Sequence, residues 1–93
     1  MSAMLILSRS VNEALLVGES RLEVRRLRPS IRLAHSRGGL VEEFEFQREQ
    51  LAEHPVISLG EANVKLLGFN GAGLELGIDA PRSVRVTREE LLR

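Results

Sequence analysis

Leu5-Ile6-Leu7-Ser8-Arg9-Ser10 occurs once in this chain, whereas most of the remaining sequence reads as two copies of one pattern. Phe44-Glu45-Phe46-Gln47-Arg48-Glu49-Gln50-Leu51 matches Val84-Arg85-Val86-Thr87-Arg88-Glu89-Glu90-Leu91 in pattern, with an Arg, a Glu and the Leu identical. Val17-Gly18-Glu19 matches Leu59-Gly60-Glu61 in the same order. The spacing drifts by about two residues, which loops absorb. Before Val56 stands Ala52-Glu53-His54-Pro55, which cannot repeat a Leu-Ile-Leu strand. The chain therefore reads as a single domain over 1–93, in which an opening strand over 4–10 is shared by two degenerate repeats, 11–54 and 55–93.

Between these landmarks, period-two alternation marks half-buried strands. The opening segment is apolar first and polar last, and it reads as a strand buried at its start and exposed at its end. Ala14–Val17 is a short strand stopped by Gly18-Glu19. Over 20–25, Leu22 and Val24 face one way and Arg21, Glu23 and Arg25 the other; Pro29-Ser30 then turns the chain. Residues 31–35 alternate, 36–39 form a loop, and 40–48 carry Phe44 and Phe46 on one inward face. Residues 49–54 hold one or two helical turns ahead of Pro55. The pattern restarts at Val56–Leu59, and residues 62–69 turn Val64 and Leu66 inward. Asn70-Gly71 predicts a type I′ hairpin turn into the strand at 74–78. After a turn at 79–82, residues 83–87 form a strand with Val84 and Val86 inward, and 88–93 a short terminal helix. The predicted fold class is all-β: antiparallel sheets in a small β-barrel-like pseudo-dimer, with a short helix after the last strand of each copy.

With 93 residues, the chain is a small domain, of a size that buries only about 60–65% of its unfolded surface. Either repeat alone would be marginal. There is no cysteine, so there is no disulfide, no thiolate nucleophile and no thiolate metal ligand. Nothing resembles a signal peptide, and no apolar run reaches the ~20 residues of a membrane helix. A cytoplasmic protein without a membrane role is the expectation. The net charge is zero, which argues against a non-specific polyanion coat but allows a local basic patch. The aromatic residues are Phe44, Phe46 and Phe69, too few for a stacking platform of two or three exposed rings.

Met4-Leu5-Ile6-Leu7-Ser8-Arg9, followed by Asn12-Glu13-Ala14-Leu15-Leu16-Val17-Gly18, resembles the start of the carbon storage regulator (CsrA/RsmA) family of bacterial RNA-binding proteins. Val64-Lys65-Leu66-Leu67-Gly68, Leu76-Gly77-Ile78-Asp79-Ala80-Pro81 and Val84-Arg85-Val86-Thr87-Arg88-Glu89-Glu90-Leu91 resemble its remainder, in order. Together with the joining segments these cover about two-thirds of the chain. The part from about Arg21 to His54 is not in the usual member and looks like a diverged second copy. The resemblance implies an intertwined fold in which the first strand of one subunit lies beside the last strand of the other. It also implies a site there that reads a GGA element in an RNA hairpin loop, controlling translation or mRNA stability. Carried over residue by residue, the first-strand contribution is Leu7, Ser8, Arg9 and Ser10, with Ser10 where the family commonly has a basic residue. The last-strand contribution is Val86, Thr87 and Arg88. The family commonly starts at its Met, so Met1 to Ala3 stand as an extra leader.

The chemistry is consistent with that reading. Guanine offers N7 and O6 acceptors that match the donor fork of Arg. Strand-edge backbone groups can read unpaired loop bases without an aromatic ring. With three to five phosphate contacts the salt slope would be only about −2 to −4. With two last strands and one first strand, Arg88 is expected to pair with the opening strand and Arg48 to lack one, giving one competent site per chain. The vacant strand position leaves an open edge, so a homodimer is the alternative.

Arg25, Arg26, Arg28 and Arg32 form the densest basic cluster. It reads as a solvated strand face or as an auxiliary phosphate patch; Arg25, Arg28 and Arg48 are the auxiliary RNA-binding candidates. Arg48 alternatively reads as structural, paired with a carboxylate. His35 shares the phase of Ile31 and Leu33 and reads as a satisfied semi-buried histidine rather than a ligand. Two distant histidines make no zinc site, and no metal or cofactor is expected. Glu42-Glu43 and Glu89-Glu90 read as solvated pairs. No nucleophile–base pair is visible, so no enzyme is expected. The competing reading is a protein-interaction module that docks on an ordinary CsrA-family protein through an open strand edge.

Overall fold

The computed structural model describes residues 2–92. Among these it contains nine strands: β1 (Ser2–Arg9), β2 (Ala14–Val17), β3 (Ser20–Arg26), β4 (Ile31–Arg37), β5 (Leu40–Phe46), β6 (Val56–Leu59), β7 (Ala62–Asn70), β8 (Gly73–Pro81) and β9 (Val86–Arg88). The two predicted helices are short 3-10 helices, Arg48–Glu53 and Glu89–Leu92. The strands form two antiparallel sheets, one ordered β1-β8-β7-β6 and the other β5-β4-β3-β2-β9. The fold is all-β, as the alternation predicts. The sheets do not close into a barrel: no ladder joins them among the described residues.

Each sheet is built on one meander, β2-β3-β4 or β6-β7-β8, and the two meanders correspond strand for strand. Val17 pairs with Ser20 across Gly18-Glu19, and Leu59 pairs with Ala62 across Gly60-Glu61. The matched tripeptides thus form equivalent hairpin turns. The inward residues predicted from alternation are buried: Leu22 and Val24 on β3, Leu33 on β4, Val64 and Leu66 on β7, Leu76 and Ile78 on β8. They meet in one hydrophobic core shared by both sheets. Full burial of such a side chain stabilises by about 1.5–3 kcal/mol. Phe44, Phe46, Val84 and Val86 pack at its margin.

Both ends of the chain cross over. β1 leaves the first meander and pairs with β8 of the second, while β9 leaves the second and pairs with β2 of the first. The ladder of β1 includes Ser2 opposite Pro81 and Ala3 opposite Ala80, so these leader residues extend the strand.

Four expectations need correction. First, β5 does not occupy a last-strand position. It folds straight back on β4, the place β1 takes on β8, because Gly38 and Gly39 both have positive φ (58° and 85°) and make a two-residue turn between Arg37 and Leu40. The position without a strand is therefore beside β6, not on β4. Second, the β7–β8 turn is Gly71-Ala72 between Asn70 and Gly73, with positive φ at Gly71 but not at Ala72, so it is not type I′. Third, β1 is exposed where it was expected to be buried: Met4, Leu5 and Ile6 are 53%, 46% and 57% exposed, while Leu7 and Arg9 are buried. β1 is an edge strand: Leu5 stands opposite the core residue Ile78, but among the described residues no strand covers the other side of β1, and Met4 and Ile6 alternate onto the opposite face. Fourth, Arg88 lies opposite Leu15 of β2, not in a ladder with β1.

Candidate nucleic-acid interface

β1 and β9 come from opposite ends of the chain and from different sheets, yet they face each other across a groove of about 440 Å³. Leu5, Ile6 and Leu7 line one wall; Arg85, Val86, Thr87 and Arg88 line the other, with Leu91 at the end. Both strands are sheet edges, so each offers backbone donors and acceptors with no ladder partner among the described residues. Leu5, Ile6 and Leu7 make the β1 wall apolar. Arg85 and Arg88 are exposed, and neither guanidinium makes a hydrogen bond among the described residues.

The C-terminal 3-10 helix holds the two walls in register. Glu90 accepts from Arg9 Nη1 at 2.7 Å and from Nη2 at 3.0 Å. Glu89 accepts from Arg21 of β3 through Nε and, at 3.0 Å, through Nη2. Adjacent acids thus take arginines from different sheets, and the pair expected to be solvated is a clasp. The hydrogen bonds from Arg9 hold the Glu90 carboxyl at about 2, helped by the backbone hydrogen bond at Glu90 and opposed by desolvation. The same contact raises Arg9, and Glu89 raises Arg21.

Of the residues carried over from the family pattern, Leu7, Val86, Thr87 and Arg88 come together on the groove. Arg9 does not face it with free donors. Its side chain is 5% exposed, and it also donates to the Ala14 carbonyl at 3.2 Å and the Ser8 carbonyl at 2.9 Å. It positions β1 against the clasp. Ser8 near the end of β1 and Ser10 just after it lie past the groove: Ser8 Oγ accepts from Asn70 Nδ2 at 3.3 Å, and the Ser10 N–H donates to Glu13 at 2.7 Å.

Among the auxiliary candidates, Arg25 pairs with Glu23 at 2.7 Å. Arg26 and Arg32 both reach Glu45, whose carboxyl is lowered first by the Ser30 hydroxyl and then by Arg32. Arg28 is exposed and has no such partner among the described residues. Arg25 and Arg28 line a separate cavity, and Arg48 stacks on Phe69 at 4.4 Å instead of pairing with an acid. His35 is satisfied by Ser20 Oγ at 2.9 Å.

Arg85, Leu5, Ile6 and Leu91 are groove residues that the sequence did not point out. Arg85 had a signal: it stands outward between the inward Val84 and Val86. Leu5 and Ile6 had none, because an apolar run at a strand start reads as core.

Among the described residues no three His, Asp or Glu side chains gather where a metal ion could sit, and no helix is long and apolar enough to cross a membrane. No protein-family model matches the chain, and neither a curated protein nor a solved structure matches it.

Proposed function

We propose that this protein is a CsrA-like RNA-binding regulator that holds a GGA element of a hairpin loop in the groove between β1 and β9. One observation carries the reading: two edge strands from opposite chain ends meet across a groove that has an apolar β1 wall and two arginines free of hydrogen bonds among the described residues. Arg85 and Arg88 offer forks of donors to guanine N7 and O6 or to phosphate. The free backbone edges meet the Watson–Crick faces of unpaired bases. Arg9 acts as a positioning residue through Glu90. Among the described residues there is one such groove, so one RNA binds per chain, in the cytoplasm, and the effect is on translation or mRNA stability.

The test is anisotropy of a labelled hairpin with GGA in its loop. Arg85→Ala and Arg88→Ala should each weaken binding by about tenfold, the scale of one lost charge-assisted hydrogen bond. Arg32→Ala, on β4 and separated from β9 by β3 and β2, should leave it unchanged. Equal losses in all three variants would point to non-specific charge and overturn the reading.

A second reading has its own observation. The start of β1 exposes Met4, Leu5 and Ile6 along an unpaired edge, a geometry that accepts an added strand. Under this reading the protein docks on an ordinary CsrA-family protein or on a second copy of itself. Co-purification with an intact family protein, without any hairpin shift, would favour it.

A further inference from the structure

A second cavity, of about 350 Å³, opens beyond the far end of β1. Its wall carries Arg25, Arg26 and Arg28 from the end of β3 and the residues after it, Phe69 from the end of β7, and the Gly71-Ala72 turn. No carboxylate lines it, although the whole chain is neutral. Arg25 and Arg26 have acidic partners, Glu23 and Glu45, outside the lining; Arg28 has none among the described residues. The volume falls at the lower end of small-molecule sites, which run from roughly 300 to 1,000 Å³.

Phe69 is placed there by a defect in its strand. The β7–β8 register shifts between Leu66 and Gly68, so Leu66 faces Leu76 but Phe69 faces Leu74. Unbroken alternation would send Phe69 outward with Asn63 and Lys65. The bulge swings it to the inner face, past the end of the core, where it remains 39% exposed. Arg48 lies over the same ring at 4.4 Å but does not line the cavity. Its Nε is buried without a hydrogen-bond partner, so the guanidinium is held by stacking. A bulge and a stacked cation therefore leave an exposed aromatic ring beside Arg28, which has no acidic partner among the described residues.

We infer that this cavity binds a nucleoside phosphate, the base stacking on Phe69 and the phosphate meeting Arg28 and Arg25. Stacking on a ring is available to every base, and the guanidinium fork fits phosphate. The site goes beyond the groove and does not depend on it. Two sources present the same chemistry: a free mononucleotide, or an unpaired nucleotide flanking a hairpin bound in the groove. The path between the two sites is short. β1 runs from Leu7 on the groove to Ser8, which bonds Asn70 next to the Gly71-Ala72 turn, and Val11 just after β1 touches the cavity.

The experiment is an amide-shift titration of the full chain with AMP, with GMP and with ribose 5-phosphate, alongside anisotropy of the GGA hairpin with and without an unpaired tail. AMP and GMP should shift the amides of Arg25, Arg28, Gly71 and Ala72 at millimolar concentration, and ribose 5-phosphate should act several-fold more weakly. Phe69→Ala and the exposed Arg28→Glu should each weaken the effect by about fivefold or more. Nucleotide shifts with no gain from the tail identify a free nucleotide as the source; a tail-dependent gain lost in Arg28→Glu, without mononucleotide shifts, identifies the RNA. Neither effect, or effects that survive both substitutions, would overturn the site. Loss of GGA dependence for the tailless hairpin would remove the groove reading and leave this one standing.

Discussion

Arg9 is buried inside a cage of four acceptor contacts, and Arg88 projects from the same end of the fold with no hydrogen bond among the described residues. Two residues that look alike in the sequence therefore predict opposite phenotypes. Arg9→Ala strands the Ala14 carbonyl and removes a packed stem, and it should destabilise the fold by about 2–4 kcal/mol, read as a drop in the urea midpoint. Arg88→Ala should leave that midpoint within about 0.5 kcal/mol, as exposed substitutions do, while weakening hairpin binding. A large midpoint shift in Arg88→Ala and none in Arg9→Ala would reverse the assignment. The clasp also has a pH signature. The Glu90 carboxyl is depressed from 4.5 to about 2 in the folded chain, so its contribution is present above about 4.5 and is lost as pH falls through about 2. Stability measured across that window should fall on acidification, and Glu90→Gln should flatten the fall. An unchanged slope in Glu90→Gln would exclude the clasp. In the sequence, Arg9 and Arg88 are both visible as basic residues at strand ends. Only the fold separates them, because the Glu90 partner of Arg9 lies 81 positions away.

At the scale of elements, nine strands were legible: most alternate polar and apolar faces, while β1 and β2 are short apolar runs bounded by turn residues. Their partners were not. β5 and β9 share a sequence pattern yet pair differently: Gly38-Gly39 lets β5 turn directly onto β4, whereas residues 82–85 carry the chain across to β2. Local pattern encodes which face is buried; pairing is settled by turn geometry and by which edge is free. β1 depends on one such edge. At Gly73 an added Cβ would sit 3.1 Å from the Arg9 carbonyl oxygen, a backbone atom of the β1–β8 ladder that cannot swing aside. Gly73→Ala should cost about 1–3 kcal/mol and speed amide exchange in β1. At Gly77 the nearest atom is the flexible end of Leu67, at 3.3 Å, and Ala there should be milder. Equal effects at the two glycines would argue against the tight apposition of β1 and β8. The Phe69 cavity was hidden from sequence for a related reason: Gly68 signals a bulge that reverses the parity of its strand, but nothing local says what the reversed Phe69 will meet.

For the molecule as a whole, the crossing of β1 and β9 makes the two repeats mutually dependent. Each sheet is finished by a strand from the far end of the chain, and one core serves both. Residues 55–93 alone would lack both β1 and the β2 partner of β9. That fragment should show no cooperative unfolding transition by circular dichroism, while the full chain shows one; an independently folding fragment would contradict the shared core. The two Gly-Glu turns were legible, since each joins the first two strands of its meander. The composite groove was legible only through the family resemblance, because nothing local says that positions 5–7 meet positions 85–88. Selection of GGA-bearing RNA by that groove is what distinguishes a regulator from a docking module. Anisotropy reads it in one titration: a hairpin carrying GGA in its loop against the same hairpin carrying CCA, taken to stoichiometry at moderate salt. GGA-dependent binding that saturates at one RNA per chain is the expected result. Equal affinity for the two hairpins would refute the proposed function.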